Sequence, residues 1–451
     1  MAASFASAPP APSPESGVVP RRTVRVLFIN DTARNGGPGR SLHSILKFLD
    51  PAAVHRAVVL PREGPIASLL STDAVADEIH FVPDLVENPI EPWGRPMERR
   101  DFDASPAWKA ARLGGNALKA TRALVRLTRL VRGGGFDLIY CNGSTADFAG
   151  GALAAITRVP ALWHVRYTSV PRGAGGLHRS LSAQERVRRI VCVSHAAAAL
   201  FHHCPSKVRV IHNALDVAHF DASRVQGSLR AELGLGDDVV VFGSHGRVLR
   251  RKGYVEMVRA ARVVLDRMTP REQAQVAFVV VGDTPEDFRP DHVEECRALA
   301  RELGIAAQFR MLGFRDDVRP LVADFDVAVV PSVYADPLPR SVIESMSLGK
   351  PVIAFDVGGV VEMIDDGVTG ALVPFAPDSP AEGIERLAGA ILRYARDPVL
   401  RARQGRAARE RVEREFDARA HAARIQNEIV AASGLEQVSA ARDDVPLGPR
   451  E

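Results

Sequence analysis

Short runs of β-branched and other apolar residues alternate with amphipathic stretches along almost the whole chain. The first run, Val24-Arg25-Val26-Leu27-Phe28-Ile29, reads as a buried strand ending in Asn30. A glycine-rich loop follows, Arg34-Asn35-Gly36-Gly37-Pro38-Gly39, and then Leu42, Ile45, Leu46 and Leu49 recur at helical spacing. Strand, glycine-rich turn and helix form the opening unit of a doubly wound α/β sheet. Further strands are predicted at 54–60, 137–141, 160–164, 189–193 and 208–211, with helices at 145–157 and 195–203. The pattern restarts near 238. Strands are predicted at 239–243, 277–282, 307–312, 326–330 and 351–355, and helices at 253–268, 291–303 and 340–348. Strands separated by helices predict parallel sheets covered on both faces. The segment 213–237, with Gly227, Gly234 and Gly236, reads as the junction of two α/β domains. Residues 381–432, rich in Ala, Arg and Glu, are predicted helical throughout, and the chain after Gly434 reads as loose.

Composition narrows the class. The chain has 451 residues, 46% of them apolar and 25% charged. These values suit two or three globular domains and exclude wholesale disorder. No stretch approaches ~18 consecutive apolar residues, so no membrane-spanning helix is expected. The first twenty residues lack a charged n-region and an apolar h-region, so they do not read as a secretory signal. Cys141, Cys192, Cys204 and Cys296 lie far apart without metal-ligand spacing, which predicts free thiols, a reducing cytoplasmic setting and no metal site. The net charge is +4, and with lysine at only six positions, 58 − 6 = 52 basic residues are arginine. Aromatics make up 6% and no basic stripe interleaves with them, so no nucleic-acid partner is expected.

Two segments carry chemistry. The loop after the second domain's first strand reads Gly-Ser-His-Gly-Arg-Val-Leu-Arg-Arg-Lys-Gly over 243–253. Ligand sites in open α/β sheets lie at the carboxyl ends of strands, which is where this loop must sit. Arg247 and Lys252 there would grip phosphate, the guanidinium as a fork and the ammonium as a compact charge. The second segment, 331–354, holds Asp336 in a loop and Glu344 eight residues on, inside a helix between Ile343 and Met346. An unpaired carboxylate at such an apolar position is costly to bury, so Glu344 requires a partner.

With these segments in place the chain resembles the GT4-type (group 1) retaining glycosyltransferases, whose GT-B fold pairs two facing Rossmann-like domains with parallel sheets across an interdomain cleft. The matching stretches are Gly36-Gly37, Val-Arg-Val-Ile-His-Asn-Ala-Leu-Asp at 208–216, the Gly-Arg…Arg-Lys-Gly loop at 246–253 and Val-Val-Val-Gly-Asp at 279–283. Leu-Gly-Phe-Arg-Asp-Asp-Val at 312–318, the two-acid motif, and Val-Gly-Gly-Val-Val-Glu…Gly-Val-Thr-Gly at 357–370 complete the set, and together they span about 24–430. The resemblance implies transfer of a sugar from a nucleotide diphosphate donor, here a UDP-sugar, with anomeric retention and without a divalent metal or other cofactor. It implies that Arg247 and Lys252 neutralise the leaving diphosphate and that Glu344 binds the ribose. Asp336 and the amides of Leu338, Arg340 and Ser341 would hold the donor sugar, and Gly37, with Gly36, would meet the diphosphate from the other domain. Gly313 and Phe314 would lie at the base. His164 stands at the position of the family's histidine beside the donor sugar, where a structural hydrogen-bonding role is an equal reading. The leaving phosphate itself would help deprotonate the acceptor, so no general base is assigned. Asp336 replaces the usual Glu, one methylene longer, and Pro339 stands where the motif often has Gly, so one amide donor is missing.

The resemblance also sets boundaries: a tail at 1–22, an acceptor-side domain at 23–215, a nucleotide-sugar domain at 216–400, a C-terminal helix at 401–433 packing back on the first domain, and a tail at 434–451. Within the first domain, Ala117, Ala120, Leu124, Leu127 and Val131 follow helical spacing, with Lys119, Arg122, Arg126, Arg129 and Arg132 on a basic side. A helix of this kind either packs its stripe on the core or rests on anionic lipid, which would suit a lipid-linked hydroxyl acceptor at the inner face of a membrane. Two other readings stand beside the transferase: a sugar-nucleotide epimerase on the same fold, and a sugar-nucleotide-binding protein with a decayed site.

Overall fold

The computed structural model describes residues 20, 22–34, 36–85, 105–171, 173–285 and 291–436; most of the tails expected at 1–22 and 434–451 lies outside them. The first half runs β1 (Val24–Asn30), α1 (Gly37–Phe48), β2 (Val54–Leu60), α2 (Pro65–Thr72), β3 (Glu78–Phe81), α3 (Pro106–Gly134), β4 (Leu138–Asn142) and α4 (Ser144–Thr157). It continues through β5 (Ala161–Val165), α5 (Gly175–Ala183), β6 (Val187–Cys192), α6 (His195–Ala198) and β7 (Val208–Val210). The second half begins α7 (Leu229–Leu233), β8 (Val240–His245), α8 (Tyr254–Asp266), α9 (Pro270–Ala274), β9 (Val276–Val281), α10 (His292–Glu302) and β10 (Phe309–Met311). Then come α11 (Arg319–Val322), β11 (Val327–Val330), α12 (Arg340–Ser347), β12 (Val352–Phe355), β13 (Gly370–Val373), α13 (Pro380–Arg396), α14 (Pro398–Glu415) and α15 (Ala418–Ser433).

The strands form two parallel sheets, ordered β3-β2-β1-β4-β5-β6-β7 and β10-β9-β8-β11-β12-β13. In each, the order reverses once, between β1 and β4 and between β8 and β11. The crevice at such a reversal, beyond the carboxyl ends of the strands, is where this kind of sheet binds ligands. The strands at the reversals are largely apolar because helices cover both faces: six of the seven residues of β1 are buried, and five of the six of β8.

Three features depart from the pattern read along the sequence. The edge strands β3 and β13 and the helix α2 are additional; both strands are only four residues long, β3 mixes polar with apolar positions and β13 opens on Gly and Ala, which favour strands weakly. The helical run at 381–432 is broken at Asp397 and Asp417, each of which caps the helix that follows. As a result α14 lies against α12 of the second domain, whereas α15 packs on the first: Ile425, Ile429 and Val430 join the core of β1, β2 and α1. Finally, the stripe assigned to α3 is shifted. Ala123, Leu127 and Val131 are the residues buried in the core, with Leu124 beside them, while Ala117 and Ala120 are exposed. A helix of 29 residues is roughly 43 Å long, and only its second half finds a core to bury against.

The chain crosses between the domains at two adjacent points. The Leu215 amide donates to the Phe416 carbonyl at 3.0 Å and the Ala418 amide to the Leu215 carbonyl at 2.9 Å. All four cysteines are free and buried.

The placement of α15 gives a first test. Ile425→Ala should cost about 2–5 kcal/mol of first-domain stability through the cavity it leaves. The readout is the denaturant midpoint of that domain; an unchanged midpoint would show that α15 is not part of its core.

Candidate functional site

The second sheet's reversal is where the sequence-predicted residues meet. β8 ends at His245, and Gly246 turns the chain away at φ +133°, so close to the neighbouring loop that a Cβ on Gly282 would strike the Gly246 carbonyl oxygen. After a short 3₁₀ turn at Arg250–Lys252, Gly253 adopts φ +75° with its α-carbon pressed against the Pro331 carbonyl, a contact that leaves no room for a side chain. That contact lays the loop after β8 on the loop after β11. It brings Lys252 Nζ to 2.5 Å from Asp336 Oδ2, where the Tyr334 hydroxyl also donates at 3.0 Å. Burial opposes both charges, but each supports the other: Lys252 is raised above its ordinary pKa and Asp336 held below its own.

Glu344 lies on α12 behind this pair. It accepts from His245 Nε2 at 3.1 Å and from Arg340 Nε at 3.1 Å. Although burial raises its pKa, the Arg340 charge and the His245 bond prevail and hold it at about 2. The partner that an acid at this apolar position requires is therefore double. Arg340 reaches further, donating to the Ala214 carbonyl at 3.2 Å in the crossing segment, and its Cδ lies 3.9 Å from where a Cβ of Gly37 would be. The expected glycine loop is itself helical from Gly37, with Gly36 as the N-cap, and nothing stands within 4 Å of a Cβ on Gly36.

The remaining predicted residues distribute as follows. Pro339 caps α12, so the Arg340 and Ser341 amides occupy its first turn, where helical amides have no intrahelical acceptor. The Leu338 side chain packs in an apolar cluster shared by both domains, beside Val193, Leu215 and Phe416. Arg247 is exposed and makes no ion pair among the described residues. Gly313 adopts φ +77° and Phe314 is 60% exposed, at the carboxyl end of β10, two strands from β8; no hydrogen bond joins them to Lys252, Asp336 or Glu344.

The first-domain wall is built at the ends of β4 and β5. His164 is fully buried; its Nδ1 meets the Tyr140 hydroxyl and lies 3.3 Å from Arg166 Nη2. With Nδ1 accepting, the proton is assigned to Nε2, which has no partner. Burial and the Arg166 charge keep the ring well below the ordinary histidine pKa, hence neutral. His421, from the first turn of α15, lies with its ring tilted to that of His164 and the centroids 6.4 Å apart, and burial with the Arg166 charge holds it neutral too, at about 3. The domains meet through further bonds: Thr168 Oγ1 donates to the Ala335 carbonyl at 2.6 Å, and Glu362 accepts from the amides of His195 and Ala196 and pairs with His212. Among the described residues no three His, Cys, Asp or Glu side chains are grouped as metal ligands would be.

His245, Arg166 and the side chain of Arg340 were not singled out from sequence. His245 carried a signal, since it stands at a strand end inside the Gly-Ser-His-Gly-Arg segment; one arginine among 52 carries none.

Two facing parallel sheets with a charge-paired site at the reversal of the second define the GT-B architecture of glycosyltransferases. The Anabaena protein HepE, solved in complex with UDP and glucose, superimposes with a TM-score of 0.70 at 22% identity, covering 90% of this chain and 100% of that one. The model of the glycosyl transferases group 1 matches residues 225–411, and that of glycosyltransferase family 4 matches residues 35–219. The chain belongs to this GT4, or group 1, glycosyltransferase family. Among curated relatives, an uncharacterized glycosyltransferase of Methanocaldococcus jannaschii is 30% identical over 56% of this chain and 66% of its own. The D-inositol 3-phosphate glycosyltransferase of Kribbella flavida is 32% identical over 48% and 49%. The chain thus spans about half to two thirds of the length of the relatives it matches.

The pairing of Lys252 with Asp336 has a pH signature. Lys252→Met leaves Asp336 buried without its cation, which should cost about 3–5 kcal/mol near neutral pH. Freed of the lysine, Asp336 moves above its unfolded pKa, so the folded variant binds the extra proton and gains stability as pH falls. Thermal unfolding from pH 7 to 5 should show the gap to wild type narrowing; a constant gap would contradict the pairing.

Proposed function

We propose that the protein is a retaining glycosyltransferase that moves a sugar from a UDP-sugar to a hydroxyl acceptor, without a divalent metal. The observation that carries this reading is the convergence of Lys252, Asp336, Glu344 and Arg340 at the carboxyl edge of the second sheet, opposite Gly37. In this reading Lys252 and the exposed Arg247 stabilise charge as it grows on the leaving diphosphate, the service a metal ion gives elsewhere. Asp336, already holding Lys252, positions both the donor sugar and the ammonium. The ribose hydroxyls donate to Glu344, replacing part of its bonding to His245 and Arg340. Arg340 and Ser341 offer amides at the start of α12, His164 Nε2 offers a proton to the donor sugar, and Phe314 lies by the base. The UDP and glucose bound to the Anabaena neighbour support uridine as the base. Reaction on the donor's front face, with the leaving phosphate taking the acceptor's proton, accords with a site whose acids are all engaged by cations.

The outer half of α3 bears on the acceptor. Trp108 and Leu118 there are 38% and 52% exposed beside the exposed Lys119, and Val125 (46% exposed), Arg122 and Arg129 continue the solvent side further along the helix. Among the described residues no helix is long and apolar enough to cross a membrane. An exposed apolar and basic helix supports peripheral contact with anionic lipid on the cytoplasmic side and a lipid-linked acceptor.

The test is turnover. Incubated with UDP-sugars and a panel of hydroxyl acceptors in EDTA, the protein should release UDP and form a glycoside of the donor's own anomeric configuration, read by proton NMR. Lys252→Ala should lower kcat by about a hundredfold or more. Inverted product, or turnover abolished by EDTA and restored by a divalent metal, would overturn the reading.

A further inference from the structure

We propose that Arg166 is the counter-cation for a phosphoryl group on the acceptor, bound on the first-domain wall of the cleft. This rests on the transferase reading above and concerns the half of the reaction that reading leaves open. Arg166 follows β5 at the carboxyl edge of the first sheet, beside Asn142 at the end of β4. Its Nε donates to Asn142 Oδ1 at 2.8 Å, its Nη1 to Asn213 Oδ1, and its Nη2 faces His164 Nδ1 at 3.3 Å. All three partners are neutral, and among the described residues no carboxylate forms an ion pair with it. The acid whose field reaches it, Asp147, is instead bonded by the Tyr167 hydroxyl at 2.9 Å, and burial raises that carboxyl well above the usual range, towards its neutral form. Arg340 adds a second positive charge nearby, which together with burial lowers Arg166 to about 10.

A guanidinium partly withdrawn from water without an acid is costly, and chains pair such charges as a rule. Arg166 keeps partial exposure on the side that feels Arg340 of the second domain, so a ligand anion can supply the missing charge. Three of the five N–H groups are engaged, which leaves two on the terminal nitrogens, the fork that matches a phosphate edge. The donor's own diphosphate has Arg247 and Lys252 on the opposite wall. His164 Nε2–H, buried and unpartnered two residues earlier, is taken by the donor sugar in the transferase reading, so the phosphoryl group falls to Arg166. The asparagine carbonyls hold the guanidinium plane fixed, so the site exists before the ligand arrives.

The probe is inorganic phosphate, titrated by calorimetry into the full chain saturated with UDP, which occupies the donor site. Wild type should bind phosphate, and Arg166→Gln should weaken that binding about tenfold or more while UDP affinity changes by less than about twofold. Equal phosphate affinity in the variant, or none in wild type, would overturn the proposal. Absence of UDP binding would count against the donor reading alone; the titration is then run without UDP and judged by the same Arg166 dependence. Should Arg166→Gln fail to fold, hydrogen exchange on wild type decides: phosphate must slow the amides of 165–171, and unchanged exchange refutes the site. Glucose 1-phosphate and decyl phosphate in detergent then compete with the probe; the tighter competitor tells a free sugar phosphate from a lipid phosphate, and competition by neither refutes the assignment.

Discussion

Arg340 joins parts of the chain that sequence keeps far apart. It stands in the first turn of α12, pairs with Glu344 one turn on, donates to the Ala214 carbonyl where the chain crosses between domains, and lies over Gly37 at the start of α1. A cation at a helix N-terminus opposes the helix dipole, so its position is held by these partners and not by helix preference. Remove it and Glu344 loses its ion-pair partner, keeping the His245 bond and the charge of Arg40, while the second domain loses its reach to the glycine turn. Arg340 thus joins Thr168 and Glu362 among the side chains that link the two domains, and the adjacent crossings at Leu215 and Phe416 confine how they can move.

The charges in the site follow a common pattern. Asp336 has Lys252 and Tyr334; Glu344 has His245 and Arg340. Buried ion pairs of this kind contribute little net stability compared with apolar packing, since desolvation offsets their attraction. Their value lies in holding cations and acceptors in place, so that a charged, hydroxyl-rich ligand can exchange into existing bonds without reorganising the protein. Arg166 differs in having only neutral partners, and it lies on the other wall.

Much of this was legible from the chain alone. The strands at the two reversals announce themselves as largely apolar runs because helices cover both their faces. Lys252, Asp336 and Glu344 stood out because a rare lysine sits between glycines and an acid falls inside an apolar helix. The edge strands β3 and β13 were not legible: Glu-Ile-His-Phe mixes polar and apolar positions, and Gly-Ala-Leu-Val is four residues long and opens on small residues of weak strand preference. The α3 stripe was misplaced because periodicity tells which residues share a face but not how much of a long helix has a partner. Arg166 gave no signal among so many arginines, and only its surroundings distinguish it.

The most direct measurement is hydrogen exchange with and without UDP. If the donor diphosphate lies between Lys252 and Gly37, protection should rise together in 245–253, 336–344 and 36–40, on both sides of the cleft. Protection confined to one domain, or appearing away from these three segments, would contradict a donor site built from the two walls.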